Sequence, residues 1–289
     1  FRSVMREERR QRAIELGLVP QSTRSSAGAY NDRSWDSLSD EEQAYWARAM
    51  QTNAGMMEAA DHHLGRLLDY LESRDQLNNT IVIVTSDNGP EYNTLGKTSA
   101  PAARAFERFW MALEGWDVSY DNLGQRGSMA AIGHEWASVS AAPFHLFKFN
   151  ATEGGLRVPL VVSGPGIEAR GFTAARAQVS DLAPTLLDAA RVSYDPKDFY
   201  GRSLMPILSG AADAVYGEGD SFAFEVSGNA ALYRGDWKIS RTLAPFGDGE
   251  WHLYDISTDP GETTDVAADH PDLFEELLRE YQAYSNHVG

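Results

Sequence analysis

Asp87 and Asn88 are the residues of this chain whose type and position best suit metal chemistry. They follow an apolar, β-branched run (residues 81–85) and precede Gly89, whose missing Cβ lets the backbone turn sharply. A carboxylate and an amide carbonyl are hard oxygen ligands, which suit Ca²⁺ or Mg²⁺ better than zinc. An Asx turn after a strand would explain the same residues without a metal. Because Ca²⁺ takes roughly 6 to 8 oxygens, such a site needs ligands from elsewhere.

Lys148 is the candidate for binding an anionic group. It lies just before the run EGGLRVP at residues 153–159. A lysine is a compact cation suited to one anionic oxygen, and the glycine pair in this run allows a close approach of the backbone. A lone lysine is more commonly a solvated surface charge, so its assignment depends on its neighbours.

The histidines offer weaker candidates. His134 begins the run HEWAS, which lacks the second histidine of a zinc-protease helix. It remains a candidate for lining a substrate pocket, because its loop leads towards Lys148, and ordinary packing is the alternative. For His145 and the His62-His63 pair we expect structural or solvated roles.

The elements that must position these residues can be predicted from periodicity. Ser39 and Glu42 form a capping pattern that opens a helix to about Leu77, with an apolar stripe facing a core. Residues 80–89 and 158–164 read as buried apolar strands of an α/β sheet, and such sheets place ligands beyond their strand ends. Residues 90–147 between these strands read as a long, weakly periodic stretch of the kind that is usually functional or mobile. Ser180 or Asp181 is expected to cap a following helix.

Short alternating strands begin near Phe222 and predict a small antiparallel sheet, closed by a helix at residues 271–284. We therefore predict an α/β core at residues 1–220 and an antiparallel subdomain with a terminal helix at residues 221–289.

Composition limits the function classes. The 289 residues are 43% hydrophobic and 23% charged, which is typical of globular proteins. The net charge of -17 argues against nucleic-acid binding, no apolar run reaches the roughly 20 residues of a membrane span, and the absence of cysteine excludes thiolate sites. The opening run FRSVMREERR is typical of the interior of a longer polypeptide. Localisation stays open between periplasmic or secreted and cytoplasmic.

Five motifs in order give the sequence a family resemblance. The run from Lys148 to Pro159, K-x-x-x-x-E-G-G-x-R-V-P, followed by SGPG, resembles the second signature of the sulfatases, members of the alkaline phosphatase superfamily. TSDNG, SDLAPTLLDAA, RGDWKIS and HLYDISTDPGETTDVA are similar to further patterns of that family, and the overall form is similar to bacterial arylsulfatases. The resemblance implies a partial alkaline phosphatase-like α/β sandwich with a small C-terminal antiparallel sheet plus helix.

The same resemblance implies a mechanism and assigns residues to it. Asp87 and Asn88 would bind Ca²⁺ or Mg²⁺, Lys148 would be catalytic by pairing with a sulfate oxygen, and Glu153 with Arg157 would support the loop. In the family a formylglycine, made from cysteine or serine in a C/S-x-P-x-R signature, attacks sulfur, and elimination then regenerates its aldehyde. The implied reaction is hydrolysis of an organic, in the first instance aryl, sulfate monoester to a phenol and inorganic sulfate.

The sequence departs from the family in one respect that affects catalysis. It contains neither the nucleophile signature nor the family's upstream aspartate pair, and Ser99-Ala100-Pro101-Ala102-Ala103-Arg104 places its arginine one position late. We therefore expect the formylglycine and the missing ligands on an upstream portion of the same protein. Two alternatives remain open: a phosphodiesterase or phosphonate monoester hydrolase of the same superfamily, and a non-catalytic half that needs a partner chain.

Overall fold

Most of the helices lie in the N-terminal two thirds of the chain, and a four-stranded sheet with one long helix forms most of the C-terminal third. The computed structural model describes residues 2–26, 34–97, 101–168 and 171–288. The helices are α1 (Arg2–Glu15), α2 (Asp40–Ser73), α3 (Pro101–Glu114), α4 (Gly133–Ala141), α5 (Glu153–Leu156), α6 (Leu182–Ala189), α7 (Met205–Leu208) and α8 (Pro271–Val288). The strands are β1 (Val82–Thr85), β2 (Leu160–Ser163), β3 (Ser221–Val226), β4 (Asn229–Arg234), β5 (Trp237–Arg241) and β6 (Trp251–Asp255). None of the described helices is both long and apolar enough to span a membrane.

The long helix α2 begins as its sequence predicts. The Ser39 side chain accepts from the Glu42 backbone N–H, and the Glu42 side chain accepts from the Ser39 N–H, so the predicted capping box is confirmed. The helix ends at Ser73, and Leu77–Asn79 form a separate 3₁₀ turn before β1.

Strands β1 and β2 form an antiparallel pair, with Val82 opposite Ser163 and Thr85 opposite Leu160. The carboxyl end of β1 therefore lies beside the amino end of β2. As a result, the residues that follow β1 and the residues that precede β2 meet at one edge of the sheet.

The predicted burial of these elements is wrong. Val161 of β2 is 60% exposed, and in the apolar stripe of α2 Met57 is 67% and Leu67 is 53% exposed. The described residues add no third strand to the β1–β2 pair, and no described element covers these side chains. Their apolar pattern is that of a buried face, but this part of the chain does not bury it.

The C-terminal sheet is confirmed as predicted. Its order is β3-β4-β5-β6, all antiparallel, and helix α8 packs on it. The core between them includes fully buried Leu253 and Leu277 and nearly buried Leu232.

Two other expectations need correction. The stretch between Pro90 and Phe147 contains helices α3 and α4, with Met111 and Ala137 buried, so it is more ordered than its weak periodicity indicates. Asp181 does not cap helix α6 with its side chain. Its buried carboxylate accepts instead from the backbone N–H groups of Gln178 (2.7 Å) and Arg202 (2.8 Å), and so ties the start of α6 to a distant loop.

Candidate active site

The loop after β1 presents Asp87 and Asn88 at the edge of the two-stranded sheet. Asp87 is exposed and Asn88 is half-buried. The Asn88 side-chain N–H donates to the Gly89 carbonyl at 2.9 Å, which leaves its amide oxygen for another partner. The Thr85 hydroxyl donates to the Pro159 carbonyl at 2.9 Å and holds the start of this loop against the segment that enters β2.

Two backbone hydrogen bonds fasten this loop to the segment that carries Lys148. The Gly89 N–H donates to the Gly155 carbonyl (2.9 Å), and the Lys148 N–H donates to the Pro90 carbonyl (3.1 Å). A Cβ on Gly89 would lie 1.9 Å from the Gly154 carbonyl oxygen, so only glycine permits this approach. The structure thus brings together the two segments that carry the predicted site residues.

The Lys148 segment is itself tightly folded. The His145 carbonyl accepts from the Gly154 N–H (2.9 Å) and from the Thr152 hydroxyl (2.7 Å). A Cβ on Gly154 would lie 2.3 Å from that same carbonyl oxygen, and a Cβ on Gly155 would lie 2.1 Å from the Asn150 carbonyl oxygen, so only glycine fits at both positions. Leu146 (φ 55°) and Phe149 (φ 70°) bracket Lys148 in the left-handed region, which costs about 1 kcal/mol or more for each non-glycine residue.

The Lys148 ammonium lies 2.8 Å from a carboxylate oxygen of Glu91 and 5.2 Å from the centre of the Phe149 ring. Glu91 also accepts from the Asn93 N–H at 3.1 Å, so it belongs to the loop that continues from Gly89. The ion pair therefore fixes the head of the lysine close to the Asp87 loop.

His134 lies near this site, in a stack of aromatic rings. Its imidazole stacks on Tyr92 with centroids 5.0 Å apart, and Tyr92 contacts Phe149 edge-on at 6.2 Å. It also lines a cavity of about 680 Å³. Among the other histidines, burial lowers the pKa of His145 to about 4, whereas the His62 and His63 rings are exposed on α2.

Behind the Lys148 segment lies a buried ionic network that we call the Lys238 network, made of Glu153, Lys238, Glu262 and Tyr233. The Lys238 ammonium lies 3.0 Å from Glu153 and 2.9 Å from Glu262, and all three side chains are at most 5% exposed. The Tyr233 hydroxyl donates to Glu153 at 2.6 Å, and Glu262 accepts from the Glu153 N–H at 2.8 Å. The contact of Lys238 with Glu262 is a close charge contact without the angle of a hydrogen bond.

The family follows from comparison with known proteins. Residues 18–192 match the family model described as Sulfatase, and residues 146–283 match the model for the C-terminal part of N-sulphoglucosamine sulphohydrolase. The first match alone covers more than half of the chain. This chain belongs to the sulfatase family.

Relatives of this sulfatase chain are longer than it is. It is 31% identical, over 99% of its own length and 52% of the relative's, to an uncharacterized sulfatase of Schizosaccharomyces pombe. It is 32% identical to an arylsulfatase of Klebsiella aerogenes over 64% of this chain and 38% of that enzyme. The crystal structure of Ps i-CgsB in complex with k-i-k-neocarrahexaose aligns with a TM-score of 0.54 and 21% identity, over 80% of this chain and 42% of that one. This likeness confirms the predicted α/β fold of the alkaline phosphatase type. The sulfatase chain spans about half, or less, of the length of these relatives.

The donor set of this sulfatase chain fits part of a metal site. Asp87 and Asn88 present two side-chain oxygens of the kind that could bind Ca²⁺ or Mg²⁺, with Asp87 exposed and Asn88 half-buried. In the described parts of the chain, no group of three or more His, Cys, Asp or Glu side chains is arranged to hold a metal ion. Two oxygen donors are fewer than Ca²⁺ takes, so the metal site stays a prediction.

The pKa values of the charged groups in the Lys238 network are shifted by burial and by their neighbours. Burial favours the neutral amine of Lys238, but Glu262, Tyr233 and Glu153 outweigh it and raise its pKa, so the ammonium persists. Burial also opposes ionisation of Glu153, but Lys238 and Arg157 hold its pKa below the usual range. Burial raises the pKa of Glu262 to about 7 against the attraction of Lys238. The network thus holds one cation, one full anion and a second acid that titrates near neutrality.

Sequence reasoning missed Lys238, Glu262 and Glu91. Lys238 and Glu262 lie in the runs RGDWK and DPGE, which served only to establish the family resemblance. A buried lysine needs a partner, and that rule applied to the sheet pattern of β5 would have marked Lys238. Glu91 carries no comparable signal, because its pairing with Lys148 depends on the fold of the loop.

Replacing Lys238 by Met should strongly destabilise the chain. The substitution leaves two buried acids without their cation, and we expect the free energy of unfolding to fall by about 3–5 kcal/mol. Urea denaturation followed by circular dichroism measures this. The exposed Lys197→Met should change the free energy of unfolding by less than about 0.5 kcal/mol. Adding Glu153→Gln and Glu262→Gln to Lys238→Met should restore part of the loss, and no restoration would contradict the charge argument.

Glu262 should give stability a specific pH dependence. Its folded pKa of about 7 lies above its ordinary value, so between the two the folded state binds more protons than the unfolded state. Its stabilising contribution to the free energy of unfolding is therefore present at about pH 5 and is lost as the pH rises through about 7. Denaturation across this range measures the free energy of unfolding of the wild type and of Glu262→Gln. The wild-type value minus the variant value should fall as the pH rises. The exposed Glu114→Gln serves as the control, and a difference that stayed constant or rose would contradict the assignment.

Proposed function

We propose that this chain forms the sulfate-binding and partial metal-binding half of a sulfatase that hydrolyses organic sulfate monoesters. The observation that carries the proposal is the pair of backbone hydrogen bonds that fastens the Asp87 loop to the Lys148 segment. A hard-oxygen donor set and a cation held side by side are what binding of a metal and a sulfate group requires.

Asp87 and Asn88 would hold the metal, with Ca²⁺ proposed first and Mg²⁺ as the alternative. When bound, the metal would neutralise charge that develops on the sulfate oxygens and hold the reacting groups in place. The chain contributes a loop whose position is fixed by Gly89 and Thr85 rather than by the metal itself. The backbone that carries the two donors is thereby placed in advance, while their side chains stay free to adjust.

Lys148 would bind a sulfate oxygen as a compact cation. Its ammonium already lies 2.8 Å from Glu91, so a sulfate oxygen must share the ammonium protons with that carboxylate. Glu91 holds the lysine head in position near the Asp87 loop, and the strained residues on both sides of Lys148 limit its movement.

The nucleophile is proposed to be a formylglycine outside this sequence, carried by an upstream portion of the same protein. The near match at residues 99–104 does not supply it: Pro101 and Arg104 belong to helix α3, while Ser99 and Ala100 lie outside the described residues. The same upstream portion is the proposed cover for the exposed apolar faces of α2 and β2. The relatives are about twice as long as the segment they share with this chain, or longer, which leaves room for such a portion.

An aryl ester is the first substrate proposed, because the Klebsiella relative is an arylsulfatase. The native protein that contains this sequence should turn over 4-nitrophenyl sulfate faster than 4-nitrophenyl phosphate, bis(4-nitrophenyl) phosphate and a matched phosphonate ester. A clear preference for a phosphorus ester would favour the phosphodiesterase or phosphonate hydrolase reading. Intact-mass analysis of the same sample tests the non-catalytic reading, since turnover needs a polypeptide that carries the nucleophile.

Replacing Asp87 by Ala should remove metal-dependent turnover, because the substitution deletes the carboxylate of the proposed metal-binding pair. In the native protein we expect kcat/KM for 4-nitrophenyl sulfate to fall by at least about 100-fold, the scale of losing one strong electrostatic contact in a catalytic site. Excess Ca²⁺ should not restore it. Asp198→Ala, on the exposed 3₁₀ turn Pro196–Asp198, is the matched control and should keep full activity.

Replacing Lys148 by Ala should chiefly weaken sulfate binding and lower kcat/KM, again by about 100-fold. Lys148→Arg should recover only part of the loss, because a planar guanidinium cannot reproduce a point cation. Lys197→Ala should behave as the wild type. Unchanged kinetics in Lys148→Ala would remove this residue from the site.

A further inference from the structure

Phe149 exposes a large apolar side chain directly beside the proposed sulfate-binding lysine. It is 43% exposed, whereas Phe147, two residues earlier, is fully buried in a cluster of aromatic rings. The centre of the Phe149 ring lies 5.2 Å from the Lys148 ammonium. Single exposed apolar residues are common on protein surfaces and need no explanation by themselves. A functional role therefore needs more than exposure, and the backbone of Phe149 supplies a second observation.

The backbone of Phe149 is held in a conformation that phenylalanine disfavours. Its φ of 70° lies in the left-handed region, where a bulky residue is an outlier. Glycine or asparagine adopts this conformation at lower cost. Strained residues persist only where their surroundings enforce them, and they cluster at ligand-binding and active sites. Burial in a core does not account for the choice of phenylalanine here, because so much of this residue is exposed.

Two buried asparagines enforce this conformation. The Asn229 side-chain N–H donates to the Phe149 carbonyl at 2.7 Å, from the first position of strand β4. The side-chain NH₂ of Asn150 donates to the carbonyls of Phe147 (3.0 Å) and Lys148 (3.2 Å). Both asparagines are at most 7% exposed. The turn that carries Lys148 and Phe149 is therefore fixed from within and from the C-terminal sheet.

Tyr92 supports the exposed ring. The rings of Tyr92 and Phe149 are nearly perpendicular, at 85°, with centroids 6.2 Å apart. Tyr92 also stacks on His134 (5.0 Å) and contacts the buried Phe147 ring (4.7 Å), so it is anchored in the aromatic cluster. The Phe149 ring thus has a fixed neighbour and is still open to a ligand over part of its surface. A ring held in this way is suited to packing against a flat apolar group.

The distance between the Phe149 ring and Lys148 is compatible with the size of an aryl sulfate. A sulfate oxygen that accepts from the ammonium lies about 2.8 Å from it. In an aryl sulfate the ring is attached through the ester oxygen of the same sulfur atom, so it starts within a few bonds of that sulfate oxygen. Packed aromatic rings have centroids roughly 4.5 to 7 Å apart. With Phe149 5.2 Å from the ammonium, an aryl ring can pack on it while the sulfate stays on Lys148.

We propose that Phe149 determines substrate specificity by packing against the leaving group of the sulfate ester, so that aromatic leaving groups are favoured over non-aromatic ones. The inference rests on the proposed function and deepens it by naming the residue that selects the organic part of the ester. Lys148 holds the sulfate group, and the ring next to it holds the aryl group.

Turnover of two esters by the native protein that contains this sequence tests the specificity. The pair is phenyl sulfate and 2,2,2-trifluoroethyl sulfate, an activated ester without a ring. We expect the ratio of their kcat/KM values to fall about tenfold in Phe149→Ala, the scale of losing one aromatic contact. Differences in leaving-group reactivity cancel, because the ratio is compared between variants. Phe149→Tyr should keep the ratio, and so should Phe172→Ala, which removes an exposed ring from the loop after β2.

A merely structural role for Phe149 gives a different result. Loss of support for the Lys148 turn would lower the turnover of both esters alike and leave their ratio unchanged. An unchanged ratio in Phe149→Ala, with both esters still hydrolysed, would therefore overturn the inference while the proposed function stands. Circular dichroism of the variants checks that they fold.

Binding of sulfonates separates the inference from the proposed function in the other direction, because sulfonates have no ester bond to hydrolyse. Calorimetric titration should show that benzenesulfonate binds more tightly than methanesulfonate, and that this advantage falls about tenfold in Phe149→Ala but not in Phe149→Tyr. If the native protein hydrolyses neither ester but this advantage depends on Phe149, the proposed function fails while the ring keeps its role in binding. Equal binding of the two sulfonates, or an advantage that survives Phe149→Ala, would overturn the inference.

Discussion

The contact of Lys238 with Glu153 and Glu262 is the interaction on which the rest of the site depends. Removing three charged groups from water is costly, and the cost is offset only when every charge has a close partner. Here the ammonium has both acids within 3.0 Å, and Tyr233 donates to Glu153. Such a network tolerates little displacement of its members. It therefore fixes the distance between strand β5 and the start of α5.

That constraint reaches the site through the backbone. Glu153 begins the short helix α5, and the next two residues, Gly154 and Gly155, make the contacts that hold Gly89. A shift of Glu153 would move the Gly155 carbonyl and release the Asp87 loop. The C-terminal sheet thus acts on the site at a distance, as a rigid support for residues that it does not contain.

Local patterns predicted the parts of this architecture that local physics decides. The capping box at Ser39 and the alternating strands of the C-terminal sheet follow from neighbouring residues, and both are present. The same reasoning placed Asp87 correctly at the end of a strand. It did not find the pairing of Lys148 with Glu91 or of Lys238 with Glu262, since these join residues whose closeness depends on the whole fold. It also predicted burial for Leu67, because an apolar stripe shows what a helix face prefers and not whether this chain covers it.

The two halves of the site are consequently fixed to different degrees by this chain. The Lys148 segment is held from behind by the Lys238 network, within itself by the His145 carbonyl, and in front by Glu91. The Asp87 loop is held through Gly89 and Thr85, but Asp87 itself is exposed, and within the described residues β1 pairs only with β2. A lysine whose segment is held by this buried network should keep its place whatever packs on the open face. The metal donors, by contrast, should acquire their final geometry only when the remaining ligands and the cover over β1 and β2 are present.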